Sequence, residues 1–297
     1  MPGRNTARWR LEQVVAGDDG AFERRSRRDA LAVEEPLEIR LVRAEDPAGA
    51  AHQVAVTMRT PGADFELAAG FLYGEGVVGG REQIETIRYC VDPAVDGPQR
   101  YNILNVVLAR GVPFDPAVLR RNFYTTSSCG VCGKASIDAV RAQMGGVVHG
   151  AATVAAGTLL ALPARLREGQ RVFERTGGLH AAALFTVGGE LLAIREDVGR
   201  HNAMDKLVGA MLLEGALPLA DHVILVSGRL SFELVQKAVR AGATVLAGVS
   251  APSSLAVELA AAAGLTLVGF LREGRFNVYT GGARVVPAPR THHPPAG

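Results

Sequence analysis

The second half of the chain alternates strand-like and helix-like segments, and this alternation limits the fold more than any other feature of the sequence. From residue 221 the chain reads strand "DHVILVSGR", helix "SFELVQKAVRAG", strand "ATVLAGVSAP", helix "SSLAVELAAAAG", strand "LTLVGFLRE" and a last short strand "FNVYT". Helices that follow short apolar strands are typical of crossover connections between parallel strands. The pattern therefore predicts an α/β domain with a largely parallel core sheet.

Two segments extend this domain toward the N-terminus. The pair "AAALFTV" and "ELLAIRE", joined by two glycines, predicts a β-hairpin. The run "GRHNAMDKLVGAMLLEG" then predicts a helix, because its apolar residues recur on one helical face.

Upstream of residue 122 the sequence favours strands. The strand-like segments are "PLEIRLV", "HQVAVTMRT", "ETIRYCVD" and "YNILNVVLA", whereas "DFELAAGFLYGEG" has helical spacing. We expect Asp64 to cap this helix and Gly74 or Gly76 to end it. Cys90 lies in the third strand pattern, where we expect a buried small apolar side chain. These segments predict a smaller strand-rich N-terminal domain.

The predicted organisation has five parts. Residues 1–30 mix arginines with acids without an apolar period, which indicates a mobile N-terminal arm. The strand-rich domain follows over 31–122, and a Cys-x-x-Cys loop with a following helix over 123–148. The α/β domain covers 149–284, and the proline-rich residues 285–297 indicate a disordered tail.

Composition excludes several classes of function. The 32 basic and 30 acidic side chains give a formal charge of +2, so no bulk charge attracts nucleic acid or an anionic membrane. Three cysteines are too few for a disulfide framework and fit a reducing compartment. The acids that follow "RRSRR" argue against a twin-arginine export signal, and no apolar stretch reaches the ~20 residues of a spanning helix. We therefore expect a cytoplasmic protein.

The ligand site is expected beyond the carboxyl ends of the predicted strands, where open α/β sheets bind ligands. The loops there span residues 196–200, 227–231, 250–254 and 270–275. Their glycines, serines and arginines favour phosphate groups, so any anion site is local. The residues expected to contact the phosphate groups are Ser227, Gly228, Arg229, Arg272 and Arg275.

The helix that opens with "RHNAMDK" offers a second wall for this site. His201 and Asp205 are four residues apart, as are Asn202 and Lys206, so all four lie near the helix start and away from the apolar stripe. The alternative is an ordinary solvated helix surface.

The segment "TTSSCGVCGKAS" contains Cys129 and Cys132. A zinc site needs further ligands at metal spacing, and a deaminase needs an upstream His-x-Glu; neither pattern is present. A helix predicted to follow, together with Lys134, would stabilise a thiolate in an exposed, glycine-rich loop. A reactive sulfur and a pair of passive surface cysteines both remain open from these residues.

Several blocks together resemble one known family. The blocks "SSCGVCGKAS", "REDVGRHNAMDKL", "SGRLSFELVQKA", "SAPSSLAVELA" and "GFLREGRFNVYTG" are similar to the formate dehydrogenase accessory sulfurtransferases of the FdhD type. "MRTPGADFELAAGFLYGEGVV", at 58–78, resembles that family's N-terminal block, so the resemblance covers about residues 33–281.

The resemblance implies a cytoplasmic homodimer that carries persulfide sulfur from a cysteine desulfurase. The sulfur goes to molybdenum in the bis(molybdopterin guanine dinucleotide) cofactor, bound as substrate, for the catalytic subunit of formate dehydrogenase. It further implies a cytidine-deaminase-like three-layer C-terminal domain without zinc. By motif, Cys129 is the persulfide carrier and Cys132 an auxiliary thiol. The implied cofactor contacts are Phe270, Leu271, Arg272, Glu273, Gly274 and Arg275.

Two other functions remain as alternatives. A chaperone could hold the cofactor or the apoenzyme without transferring sulfur. A nucleotide-acting hydrolase or deaminase would also fit a crevice in an α/β domain.

Overall fold

The computed structural model describes residues 5–18, 20–45, 51–113 and 147–287. The described chain combines helices with several β-sheets, which confirms the mixed α/β class. The predicted Cys-x-x-Cys loop lies outside these residues, as does the part of the predicted 285–297 tail beyond residue 287. Residues 285 and 286 of that tail form a short strand. The domain boundaries and the resemblance to cytidine deaminases stay predictions.

An antiparallel hairpin precedes the main sheets. Strand β1 (Thr6–Ala16) pairs along its whole length with β2 (Phe22–Ala32), and Gly20 in the connecting turn has a φ of +78°. The predicted N-terminal arm therefore contains two paired strands that its sequence pattern did not reveal, while its mobility stays a prediction. Most of its side chains are exposed, and no residue of either strand is fully buried. In β1 the half-buried Leu11, Gln13 and Val15 alternate with exposed residues, so only a weak alternation marks this strand.

The next strands form a four-stranded sheet in the order β4-β3-β6-β5. They are β3 (Glu35–Arg43), β4 (His52–Arg59), β5 (Ile84–Tyr89) and β6 (Ile103–Leu108). All four were predicted from their sequence patterns. Helix α1 (Asp64–Gly74) packs on this sheet, and the core between them includes Leu37, Ile39 and Leu67. Cys90 follows β5 and is buried, as predicted.

Helix α1 begins at Asp64, but the predicted cap is wrong. Ala63 occupies the N-cap position with a φ of +55°, and no side chain caps the helix there. The carboxylate of Asp64 instead accepts hydrogen bonds from Nε and Nη2 of Arg59, each at 3.0 Å. Arg59 is only 1% exposed, and a buried guanidinium requires a paired carboxylate more than the helix requires a cap. The helix ends at Gly74, as predicted.

The remaining strands form a six-stranded sheet and one small two-stranded sheet. The six are β8 (His180–Thr186), β9 (Leu191–Asp197), β10 (His222–Val226), β11 (Val245–Gly248), β12 (Thr266–Arg272) and β13 (Arg275–Thr280). The small sheet pairs β7 (Val154–Ala155) with β14 (Val285–Val286). The helices are α2 (Ala156–Gly169), α3 (Arg171–Thr176), α4 (Arg200–Leu213), α5 (Phe232–Arg240) and α6 (Ser254–Ala263).

The six-stranded sheet has the order β13-β12-β11-β10-β8-β9 and is mixed. Strands β10, β11 and β12 are parallel, whereas β8, β9 and β13 join by antiparallel pairing. The predicted parallel core is confirmed in β10, β11 and β12, and the predicted β8–β9 hairpin adds antiparallel pairs beside β10. Helices α4, α5 and α6 cover one face of the sheet, and α2 covers the other. Within the described residues, no helix has the length and apolar content to cross a membrane.

Helix α1, which packs on the four-stranded sheet, crosses helix α4, which packs on the six-stranded sheet, at a very short distance. A Cβ atom on Gly70 would overlap the carbonyl oxygen of Asp205, and one on Gly209 would overlap that of Glu66. The two backbones therefore touch at these glycines, an approach that only a residue without a side chain permits.

Ion pairs surround this crossing. Nε and Nη2 of Arg195 both donate to the carboxylate of Glu66, with Nη2 2.9 Å from Oε1. The ammonium of Lys206 lies 2.6 Å from Asp197 and donates to the carbonyl oxygen of Thr60 at 2.8 Å, while the Thr60 amide donates to Asp197 at 3.1 Å. These bonds fix the start of α1 against the end of β9.

Gly70→Ala is expected to destabilise the protein by about 2–3 kcal/mol, because the added methyl group separates α1 from α4 and overpacks the contact. Urea unfolding followed by circular dichroism measures the loss. Gly97→Ala is the matched control, since Gly97 has a φ of −51° and no atom lies within 4 Å of its added Cβ. Equal midpoints for the Gly70 variant and wild type would show that the helices do not meet at this residue.

Candidate functional site

One edge of the six-stranded sheet gathers the predicted loops. Strands β9, β10, β11 and β12 point in the same direction, so Asp197, Val226, Gly248 and Arg272 end them at one edge. Helices α4, α5 and α6 also begin there. The predicted convergence of loops 196–200, 227–231, 250–254 and 270–275 is confirmed. Three helix N-termini at one edge favour anionic ligands.

A cleft of about 480 Å³ opens at this edge. Ser227 and Val249, which follow β10 and β11, form part of its floor, and α2 and α3 form a wall. Its lining is apolar at Pro163, Leu166, Phe173, Leu179 and Val249, and polar at Arg167, Gln170, His180 and Ser227. The guanidinium of Arg167 lies 4.5 Å from the centre of the Phe173 ring. The cleft therefore combines apolar side chains with hydrogen-bonding groups.

Two histidines lie at this edge: His180 lines the cleft, and His201 is in the first turn of α4. His201 Nε2 lies 3.2 Å from Ser231 Oγ and 3.7 Å from the carboxylate of Glu233. Burial, together with the charge of Arg200, lowers the pKa of His201 to about 4. The same two causes lower the pKa of His180. Both imidazoles are therefore neutral at pH 7 in the free protein.

Arg200 lies at the centre of this group. Its Nε is buried and has no hydrogen-bond partner among the described residues. Gly228 packs close by, since a Cβ there would lie 3.4 Å from His180 Nδ1 and 4.0 Å from Arg200 Cδ. The loop after β10 thus approaches the arginine and the histidine closely. A buried N–H without a partner is costly, so this arrangement favours an acceptor from a bound anion.

The residues predicted on the β10–α5 loop take different positions. Ser227 Oγ accepts a hydrogen bond from the amide of Ala181 at 2.8 Å, so its hydroxyl proton points elsewhere. Gly228 is half-buried and Arg229 is exposed. These positions place a hydroxyl, a small residue and a guanidinium at the crevice edge.

The predicted segment 270–275 forms the turn between β12 and β13. Phe270 has a φ of +52°, which is strained for an aromatic residue, and its amide donates to the Ser250 carbonyl at 3.1 Å. Leu271 is fully buried, whereas residues 272–275 are exposed. Arg272 pairs with Arg275 across the turn, and its guanidinium lies 5.9 Å from the Phe270 ring centre. Two exposed arginines therefore flank the turn, with Glu273 and Gly274 between them.

Three residues of the predicted second wall do not face solvent. Asn202, Asp205 and Lys206 are buried, because α4 lies between the sheet and α1. Asn202 Nδ2 donates to the carbonyl of Met58 at 2.7 Å, and Lys206 pairs with Asp197. The expectation of a polar face away from the apolar stripe is therefore wrong for these three, and His201 alone of the four reaches the crevice.

Asp205 belongs to a buried pair on the other side of α4. Its Oδ1 lies 2.7 Å from the ammonium of Lys237, which also lies 3.6 Å from Glu75. Burial raises the pKa of Asp205 to about 6, although Lys237 opposes this shift. The pair links α4 with α5 and the end of α1.

Cys129 and Cys132 lie outside the described residues. Their roles therefore stay predictions. Within residues 5–18, 20–45, 51–113 and 147–287, no three histidine, cysteine, aspartate or glutamate side chains group closely enough to hold a metal ion.

The sequence did not identify Arg200, His180 or the helices of the cleft wall as parts of the candidate site. Arg200 lay inside a predicted loop, and its position directly before the helix was the available signal. His180 precedes the predicted hairpin strand by one residue. Helices α2 and α3 were not assigned, so Arg167 and Gln170 carried no signal of their own.

Comparison with known proteins agrees with this fold. The model of the FdhD/NarQ family matches residues 32–286. The sulfur carrier protein FdhD of Streptomyces avermitilis is 56% identical over 285 residues, covering 95% of this chain and 96% of its own. The sulfur carrier protein FdhD of Mycobacterium tuberculosis is 56% identical over 265 residues, covering 88% and 93%.

One solved structure shares the fold. A crystal structure from Desulfotalea psychrophila, described as a formate dehydrogenase accessory protein, matches with a TM-score of 0.69 at 24% identity. The match covers 94% of this chain and 99% of that one. With the family model spanning most of its length, this chain belongs to the FdhD/NarQ family.

Proposed function

We propose that this protein is a sulfurtransferase that carries persulfide sulfur on Cys129. A cysteine desulfurase gives the sulfur, and the acceptor is molybdenum in the bis(molybdopterin guanine dinucleotide) substrate of formate dehydrogenase. The names of the relatives, sulfur carrier protein, support the carrier role. The name of the structural neighbour supports the dehydrogenase as partner.

The observation that carries the cofactor part of the proposal is the buried, unpartnered Nε of Arg200. It lies beside two neutral histidines, at an edge where three helices begin. A diphosphate supplies the missing acceptors there, and helix N-termini stabilise its charge. The cleft of about 480 Å³ beside it has room for a base or pterin ring system.

The proposed chemistry balances with the two cysteines of the motif. A thiolate at Cys129 attacks the outer sulfur of the desulfurase persulfide, forms a new S–S bond and releases the desulfurase thiolate. A thiolate at Cys132 then attacks the inner sulfur, which leaves a Cys129–Cys132 disulfide and releases sulfide to the metal. The two electrons come from the cysteine pair, and a cellular thiol reductant restores it.

The alternative is a chaperone that holds the cofactor without moving sulfur. The same anion site serves either function, so nucleotide binding does not separate them. Labelled sulfur transferred from a desulfurase to the purified protein, followed by mass spectrometry of the loop peptide, distinguishes the two. A peptide without added sulfur would favour the chaperone.

Cys129→Ser is expected to abolish the activity of formate dehydrogenase while leaving that enzyme assembled, because no other group forms the carrier persulfide. Cys132→Ser is expected to lower the yield of active enzyme without abolishing it, since another thiol can attack the persulfide. Formate oxidation in cells carrying each variant measures both effects. Cys90→Ser is the control, and we expect it to act only through packing. Normal formate oxidation with the Cys129 variant would remove the carrier role from that residue.

Replacing Arg272 and Arg275 together by alanine is expected to weaken the binding of guanosine diphosphate by at least about 1 kcal/mol, as the loss of charge-assisted hydrogen bonds does. Isothermal calorimetry measures the change. The matched control removes two exposed arginines from the four-stranded sheet, Arg43 and Arg88. Similar affinities for the two double variants would place the phosphate site away from the β12–β13 turn.

Binding of guanosine diphosphate is expected to take up protons. Burial and Arg200 depress the pKa of His201 to about 4, and the nearby diphosphate raises it again. Affinity of the wild type relative to His201→Asn should therefore increase as the pH falls from 7.5 to 5.5. The comparison with the variant cancels the titration of the phosphate itself. A wild-type to variant ratio that does not change with pH would exclude His201 from the site.

A further inference from the structure

The N-terminal hairpin has two unlike faces. In an antiparallel ladder, directly opposed residues share a face, and successive residues alternate between faces. One face therefore carries Arg8, Arg10, Arg24 and Arg28, and we call it the arginine face. The other face carries Arg25 and Arg27 with several acidic and apolar residues, so its charges largely cancel.

Positive charge is crowded on the arginine face. Arg10 and Arg28 stand directly opposite each other, an arrangement that destabilises a strand pair unless an anion lies between the charges. Glu12 supplies the carboxylate of this face among the described hairpin residues, and it pairs with Arg24 at 3.1 Å. Arg8 and Arg28 have no hydrogen-bond or ion-pair partner within the described part of the chain. The face therefore lacks the anions that would balance it.

The hairpin is attached to the rest of the protein at its base. Arg175 of α3 donates to Thr6 Oγ1 at 3.1 Å, and β2 packs against α3. Away from the base most side chains are exposed, with Phe22 exposed by 73%, although Leu11, Gln13 and Val15 on the other face are half-buried. A lone two-stranded hairpin is marginally stable in water, so contact with a partner would stabilise it.

We propose that the arginine face docks an acidic, extended segment of a partner protein. Strand β1 pairs only with β2 among the described strands, so the backbone groups along its outer edge are free to bond another strand. A segment lying there places its side chains about 5 Å from Arg8 and Arg10 on the same face. Acidic residues at alternate positions repeat at about 7 Å, which matches the spacing of these arginines.

The same features favour a peptide over a nucleic acid. A phosphate backbone can pair with the arginines, but it has no amide groups to continue the ladder at the β1 edge. The exposed Trp9 lies on the opposite face, where it cannot stack on a base bound to the arginines. Of these two ligands, only an acidic peptide strand can both hydrogen-bond the backbone along the β1 edge and neutralise the arginines.

The base of the hairpin lies next to the cleft. A Cβ atom on Gly178 would lie 3.6 Å from that of Ala32, the last residue of β2, and Gly178 lines the cleft. A protein docked on the arginine face is therefore held beside the crevice. This inference concerns docking and does not depend on sulfur transfer.

The test uses the full-length protein and a fluorescent 12-residue peptide in which glutamate alternates with threonine. One double variant combines Arg8→Gln and Arg28→Gln. The matched control combines Arg25→Gln and Arg27→Gln, which removes the same charge from the other face. The first double variant is expected to bind the peptide at least about tenfold more weakly in anisotropy titrations, and the control within about twofold of wild type. Binding by the wild type is expected to weaken as salt rises.

A second measurement uses only the wild-type protein. The same peptide with alternate backbone amides methylated is expected to bind at least about tenfold more weakly, because it cannot pair along the β1 edge. Equal losses in the two double variants, undiminished binding of the methylated peptide, or tighter binding of a duplex DNA or of phosphatidylserine vesicles would each overturn the proposal. Unchanged affinity of the arginine-face variant for guanosine diphosphate is the expected sign that this surface is separate from the crevice.

Discussion

The backbone contact between α1 and α4 is the constraint on which the rest of the structure depends. Because Gly70 and Gly209 have no side chains, the two helices meet closely enough for the β4–α1 connection to reach the end of β9. There Thr60 bonds both Asp197 and Lys206. Asp197 ends β9, three residues before Arg200, so the helix crossing also determines where the anion-binding groups lie.

Buried charges make this junction specific. An ion pair in the interior gains little net stability, because desolvation offsets most of the attraction, yet leaving either partner alone is costly. Lys206 and Asp197 are both almost completely buried, as are Lys237 and Asp205, and each lysine lies within 2.7 Å of its buried carboxylate. A displaced helix would leave four charges unpaired. The pairs therefore favour one relative position of α1, α4 and α5.

The sequence predicted what is encoded locally and missed what depends on distant segments. Strands and helices with clear periodicity, such as β10, α5 and β11, were assigned from their own residues. The polar residues Asn202, Asp205 and Lys206 read as a solvated face, because the helix that buries them is encoded more than a hundred residues earlier. The hairpin was missed for the opposite reason. Most of its residues are exposed, and the half-buried Leu11, Gln13 and Val15 give β1 only a weak alternation among many charged residues.

The length of the sequence between Cys129 and the sheet bears on the sulfur transfer proposed above. Val148 bonds the carbonyl of Ala263 at the end of α6, on the edge of the sheet opposite the crevice. The sheet is about 23 Å across along the seven-residue β12. Seventeen residues lie between Cys129 and Val147, and a fully extended chain of that length spans at most about 60 Å. The sequence between Cys129 and the sheet is therefore long enough for the sulfur transfer proposed above, whereas a short turn at Val147 would hold a cysteine about a sheet's width from the crevice.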